Sequence, residues 1–104
     1  MPSFVYVRGT LDTNSTVGDV RLRLDSESTQ KMQRVESTCR GKTPFFGCVL
    51  RITPTRWCPA KAFTSRAGEL LGVRCTIRRY KFRGDQGALV EGWRVYAHEI
   101  EDYR

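Results

Sequence analysis

Short runs of alternating apolar and polar residues organise this chain. Phe4-Val5-Tyr6-Val7-Arg8-Gly9-Thr10-Leu11 alternates and is rich in β-branched and aromatic residues, so it predicts a first strand. Val5, Val7 and Leu11 fall on one face; Phe4, Tyr6 and Arg8 fall on the other. Gly9 inside the run predicts a bulge or sharp bend. Asp12 to Asp19 is a polar loop. Val20-Arg21-Leu22-Arg23-Leu24 predicts a second strand, with the apolar residues facing in and the arginines facing out. Residues 25 to 43 are polar and weakly periodic. Met32, Val35 and Cys39 have the spacing of a short helical turn, but the segment as a whole reads as a long connection, free to move. Pro44 to Thr53 predicts a third strand, with Phe46, Cys48, Leu50 and Ile52 on one face and Phe45, Val49 and Arg51 on the other. Pro54 ends it. Pro59 opens a short helix in which Ala60, Phe63, Ala67 and Leu70 recur at helical spacing, and Gly72 reads as its C-cap. Val73 to Phe82 and Trp93 to Ile100 predict the fourth and fifth strands. The glycine-bearing segment from Arg83 to Gly92 joins them as a hairpin.

Composition adds a direction to this pattern. The 104 residues amount to one domain, and the net charge is +7. Residues 40 to 83 hold eleven Lys and Arg against one acid, whereas the rest of the chain holds seven against ten. The positive charge therefore belongs to one part of the molecule, which predicts a basic face. Arginine outnumbers lysine 14 to 4. Arginine forks onto phosphate and stacks on planar rings, and lysine does neither as well. No apolar run is long enough for a membrane span, and no charged-then-apolar leader opens the chain. The expectation is a cytoplasmic, nucleoid-associated protein with no membrane contact. Cys39, Cys48, Cys58 and Cys75 then read as free thiols, with Cys48 and Cys75 in apolar strand patterns. A zinc site from Cys39, Cys58 and His98 would lack the paired cysteine spacing such sites use, so no metal and no cofactor is expected. One histidine, no nucleophile elbow, no phosphate-cradling glycine loop and no paired carboxylates leave no catalytic residues to name; the chain does not read as an enzyme.

Arg78-Arg79-Tyr80-Lys81-Phe82-Arg83 is the densest chemistry, with four cations and two aromatic rings in six residues. Cations neutralise phosphates and rings stack on bases, which together grip a single strand without reading its sequence. Three strands, one short helix and a closing hairpin predict an all-β domain spanning residues 1 to 104. Its architecture is a five-stranded OB-fold Greek-key barrel with one short helix between strands three and four. Cys48-Val49-Leu50-Arg51-Ile52, then Ala60 to Ala67, then Gly68 to Ile77 resemble the bacterial single-stranded-DNA-binding proteins. There a third strand leads to a helix and then to a glycine-marked strand feeding a basic, aromatic hairpin. Trp93 to Ile100 resembles that family's last strand and Phe4 to Leu11 its first. The replicative members carry a long tail ending in acidic residues, and this chain stops after its last strand. The resemblance thus implies a short, tail-less member of the kind found in primosomes, phages and plasmids.

An OB-fold binds across strands two and three, between the loops joining strands one to two and four to five. Mapped here, the strand floor offers Arg21, Arg23, Phe45 and Arg51, flanked by the Asp12–Asp19 loop. Arg74, Arg78, Arg79, Tyr80, Lys81, Phe82 and Arg83 form the hairpin arm, and Arg56 and Trp57 adjoin the floor. Tyr80, Phe82, Phe45 and Trp57 are the stacking candidates, whereas Phe46, Phe63 and Trp93 read as core. Arg79 and Lys81 would point into a barrel if the fourth strand stayed regular. The arm is therefore expected to leave the barrel near Arg78 as a ribbon wet on both faces. The expected partner is single-stranded DNA, handled in replication, repair or recombination together with replication proteins. The same sequence also suits an RNA- or tRNA-binding module, since discrimination rests on contacts to the 2′-hydroxyl. A protein-interaction module is the alternative of another class, with Glu99, Glu101 and Asp102 as its acidic contact. Apolar and aromatic positions on the first strand favour a homodimer.

Overall fold

The computed structural model describes residues 4 to 101. The chain is mostly β. Strands β1 (Phe4–Leu11) and β2 (Val20–Leu24) come first, then helix α1 (Ser26–Ser37). The short strands β3 (Phe45–Phe46) and β4 (Val49–Ile52) follow, then helix α2 (Ala60–Thr64). The long strands β5 (Leu71–Arg83) and β6 (Leu89–Glu101) end the fold. The six strands form one antiparallel sheet in the order β3-β4-β2-β1-β5-β6.

β1 is the central strand because it pairs on both sides. Its first part lies against β5 and its last part against β2, and Gly9 pairs with both Leu71 and Leu24. Gly9, where the pattern predicts a bulge or bend, is where β1 changes partner, and the pairing register runs through it without a shift. The sheet then curls back on itself. Thr53, just past β4, donates its N–H to Val95 O (2.8 Å) and accepts from Ala97 N–H (3.0 Å), a parallel bridge onto β6. Lys42 does the same on the same edge, between Glu91 O and Trp93 N–H, each at 3.0 Å. The apolar faces meet inside this curl. Val7, Leu22, Leu50, Ile52, Val73 and Val95 are fully buried, and Phe63 of α2 and Met32 of α1 plug them from outside the sheet. Trp93 and Phe63 are core, as their patterns predict.

Three expectations need correction. Residues 25 to 43 are not a loose connection, because twelve of them form α1. Asp25 caps the helix by accepting from Ser28 N–H at 2.8 Å, and the helix is moored to β1. Arg8 N–H donates to Ser28 Oγ at 2.8 Å, and Lys31 Nζ donates to Tyr6 O at 2.7 Å. Pro44 to Thr53 is not one strand but the hairpin β3–β4, turning at Gly47 and Cys48. Gly47 has φ +65°, which a two-residue hairpin turn requires and side chains resist. The turn reverses side-chain parity, so Phe45 is buried (4% exposed) and Phe46 is out (60%). Finally, Gly72 is no helix cap, for β5 already begins at Leu71.

All four cysteines are free thiols. Burial raises the Cys58 thiol and pushes the Cys75 thiol up to about 12. Both therefore stay neutral and act as small apolar residues. No three His, Cys, Asp or Glu residues converge among the described residues. No helix among them is long and apolar enough to cross a membrane.

Candidate nucleic-acid interface

β5 and β6 outrun the rest of the sheet. Their pairing continues from Gly72↔Glu101 out to Arg83↔Leu89, and the molecule measures 47 × 28 × 27 Å. Arg78, Arg79, Lys81, Phe82 and Arg83 are exposed, although they alternate between the two faces of the strand. The arm is thus a two-stranded ribbon wet on both sides, as its charge pattern predicts.

One face of this ribbon is an ordered row of rings and guanidiniums. Strand alternation and register put Arg78, Tyr80 and Phe82 on the same side as Arg94 and Tyr96. The Tyr80 and Phe82 rings stack 6.1 Å apart. The Arg94 guanidinium lies 5.1 Å from the Tyr80 ring centre, and that of Arg78 lies 5.9 Å from the Tyr96 ring. Cations over rings hold both in place and leave the guanidinium edges for phosphate. Gly92, the cross-strand partner of Tyr80, makes room for this. A Cβ there would stand 2.5 Å from Tyr80 Oη and 2.8 Å from Lys42 O, so only glycine lets the ring lie down across β6.

Between this face and the curled-over hairpin β3–β4 lies a groove of about 550 Å³. Lys42, Arg51 and Arg94 line it together with Phe46, Tyr80 and Trp93. A second cleft of about 320 Å³ opens beside it, sharing Tyr80 and Arg94 and adding Arg78, Arg79, Phe82 and Tyr96. The two make one track. A third depression of about 300 Å³ joins Arg40, Arg79 and Lys81 to the C-terminal end of α1, where Arg79 reaches Thr38 Oγ1 at 3.5 Å. No ion pair engages Lys42, Arg78, Arg79, Lys81 or Arg94 among the described residues.

The strand floor is different. Asp19 binds Arg21 at 2.6 Å and sets its other oxygen, Oδ1, 2.9 Å from Arg51 Nε, at ion-pair distance but without hydrogen-bond geometry. Asp12 binds Arg23 at 3.0 Å. The 12–19 loop is held in position for this. Ser15 Oγ donates to Arg21 O and accepts from Arg21 N–H, both at 2.9 Å. The hydrogen bond from Arg21 is the chief cause holding the Asp19 carboxyl below its ordinary value, against the opposing effect of burial. Three of the predicted floor cations are therefore neutralised by the loop expected to help them.

Of the other predicted site residues, Phe45 is buried in the core, whereas its exposed neighbour Phe46 lines the groove. Arg83, at the ribbon tip, donates to Gly87 O at 3.0 Å. Arg56, Trp57 and Arg74 lie apart, beside His98. Lys42, Phe46, Arg94 and Tyr96 were not anticipated as site residues. Arg94 and Tyr96 had a signal, for they alternate with the apolar Trp93, Val95 and Ala97 and must face out. Lys42 had none, since its place depends on a bridge to a residue fifty positions away. Comparison with protein-family models, with curated proteins and with solved structures yields no match in any of the three.

Proposed function

We propose that this chain binds single-stranded DNA without reading its sequence. Lys42, Arg78 and Arg94 take phosphates, and Tyr80, Phe82 and Phe46 take bases. The observation that carries the reading is the track in which cations without ion-pair partners and solvent-accessible rings lie side by side on one ribbon face. Phosphate capture and base stacking need those two groups at short, regular intervals, and neither needs a particular base.

We read the architecture as an OB-fold barrel. The central place of β1, the curl that brings Thr53 onto β6 and the groove between β4 and the last hairpin all support this. In this reading β3 is a short addition to the third barrel strand, and α1 is inserted between the second and third. Capture of this kind serves replication, repair or recombination, where single strands are exposed.

The test is a fluorescence titration with oligo-dT, a matched RNA oligomer and duplex DNA at two salt concentrations. The expected result is preference for the single strand over duplex and a marked loss of affinity with salt. Equal binding of duplex and single strand, or indifference to salt, would overturn it.

A further inference from the structure

The ribbon face does not end at Tyr96. Two residues further along β6 is His98, which bonds Thr76 Oγ1 through its Nε2. The segment after Thr53 follows the edge of β6, tied by Thr55 Oγ1 to Ala97 O at 2.8 Å. This lays Trp57 on the imidazole, with ring centres 6.3 Å apart and planes 11° from parallel. Phe4 also meets His98 edge-on, with ring centres 5.4 Å apart. Arg56 sits 5.7 Å from the Trp57 ring and Arg74 sits 5.2 Å from the Phe4 ring. Trp57 is 72% exposed and Phe4 51%, so with His98 they form a contiguous exposed aromatic patch of the kind that marks an interaction site.

We infer that Trp57, resting on His98, is a second base-stacking platform at the far end of the same track, with Arg56 holding the adjoining phosphate. This rests on the single-strand reading above and extends it from the groove to the barrel wall. Two features favour a nucleic-acid strand over another occupant. The row carries past a β-bulge, where Ala97 and Glu99 pair with the adjacent Cys75 and Arg74 and leave His98 as the extra residue, and the bond to Thr76 Oγ1, on the Arg78 side of β5, holds His98 to the face of Arg94 and Tyr96. The patch is also flanked by cations. Arg74 is engaged by Glu99 at 2.9 Å, but Arg56 makes no ion pair among the described residues and is left for a polyanion.

The experiment compares wild type, Trp57→Ala and Trp57→Phe on oligo-dT of four and of twelve or more nucleotides. The indole lies outside the core, so its removal leaves the packing intact, and Trp57→Phe keeps a platform. Wild type is expected to bind the long oligomer more tightly than the short one by more than the number of registers explains. Trp57→Ala should lose roughly 5- to 150-fold on the long oligomer alone, the effect of one stacked base, and Trp57→Phe should recover most of it. Arg56→Glu should also weaken the long oligomer selectively. Equal affinities of Trp57→Ala and wild type at every length would overturn the platform while leaving the groove intact. Failure of wild type to bind either length would overturn the groove reading and the platform with it. Unchanged binding by Trp57→Ala, with a dimer-to-monomer change in sedimentation, would assign the patch to a second copy of this chain instead.

Discussion

Phe45 and Phe46 are adjacent and chemically identical, yet the hairpin turn sends one to the core and the other to the groove. Phe45→Ala is expected to cost about 3 kcal/mol or more in denaturant unfolding, as for other large-to-small core changes. Phe46→Ala should leave stability within about 0.5 kcal/mol but weaken oligonucleotide binding by about 1–3 kcal/mol. Asp19 illustrates the opposite kind of residue, one that restrains the surface. It occupies Arg21 and Arg51, so Asp19→Asn should tighten single-strand binding by roughly 5-fold at low salt, worth about 1 kcal/mol. The sign of its pH dependence follows from its lowered carboxyl. The ion pairs are present above the ordinary carboxylate value and are lost only as the pH falls through the still lower folded value. Titrations between pH 5 and pH 8 should therefore show a constant gap between wild type and Asp19→Asn, closing only in stronger acid.

Among the elements, α1 is the one most dependent on specific polar contacts. Only Ser28 and Met32 of its twelve residues are buried, so little apolar area holds it in place. Its cap carries a disproportionate share. The Asp25 carboxyl is raised by burial, but the Ser28 N–H hydrogen bond and nearby cations outweigh this and lower it. Asp25→Ala should cost about 1 kcal/mol of stability and show faster amide exchange along α1. β5 and β6 behave differently. Their inner halves are buried in the barrel-like curl, whereas the outer halves hold together by cross-strand pairing and the stacked face.

For the molecule as a whole, the charge that matters is the part left unpaired. The acidic loop and the local ion pairs cancel the floor, so the net +7 finds its expression along the ribbon and in Lys42. With about three phosphates neutralised by Lys42, Arg78 and Arg94, single-strand affinity should fall about 20-fold between 50 mM and 200 mM salt. A titration series over that range measures the slope directly. Arg21→Ala should leave the slope unchanged, while Arg94→Ala should reduce it.

The features legible along the chain are those that depend on near neighbours. Alternation placed β1, β2, β5 and β6, and Pro59 marked α2. The crowding of charge on both faces of residues 78 to 83 announced a wet ribbon, because strand parity is a local property. The split of residues 44 to 53 was written only in Gly47, a weak sign inside an otherwise regular alternation. α1 was obscured because its anchors, Arg8 and Tyr6 on β1, lie some twenty residues away and bond through the backbone. Which cations are free emerges only once the chain is folded. Coulomb pairing and ring stacking act through space. No spacing in the chain tells that Asp19 reaches Arg51, that Lys42 lies along Gly92, or that Trp57 rests on His98.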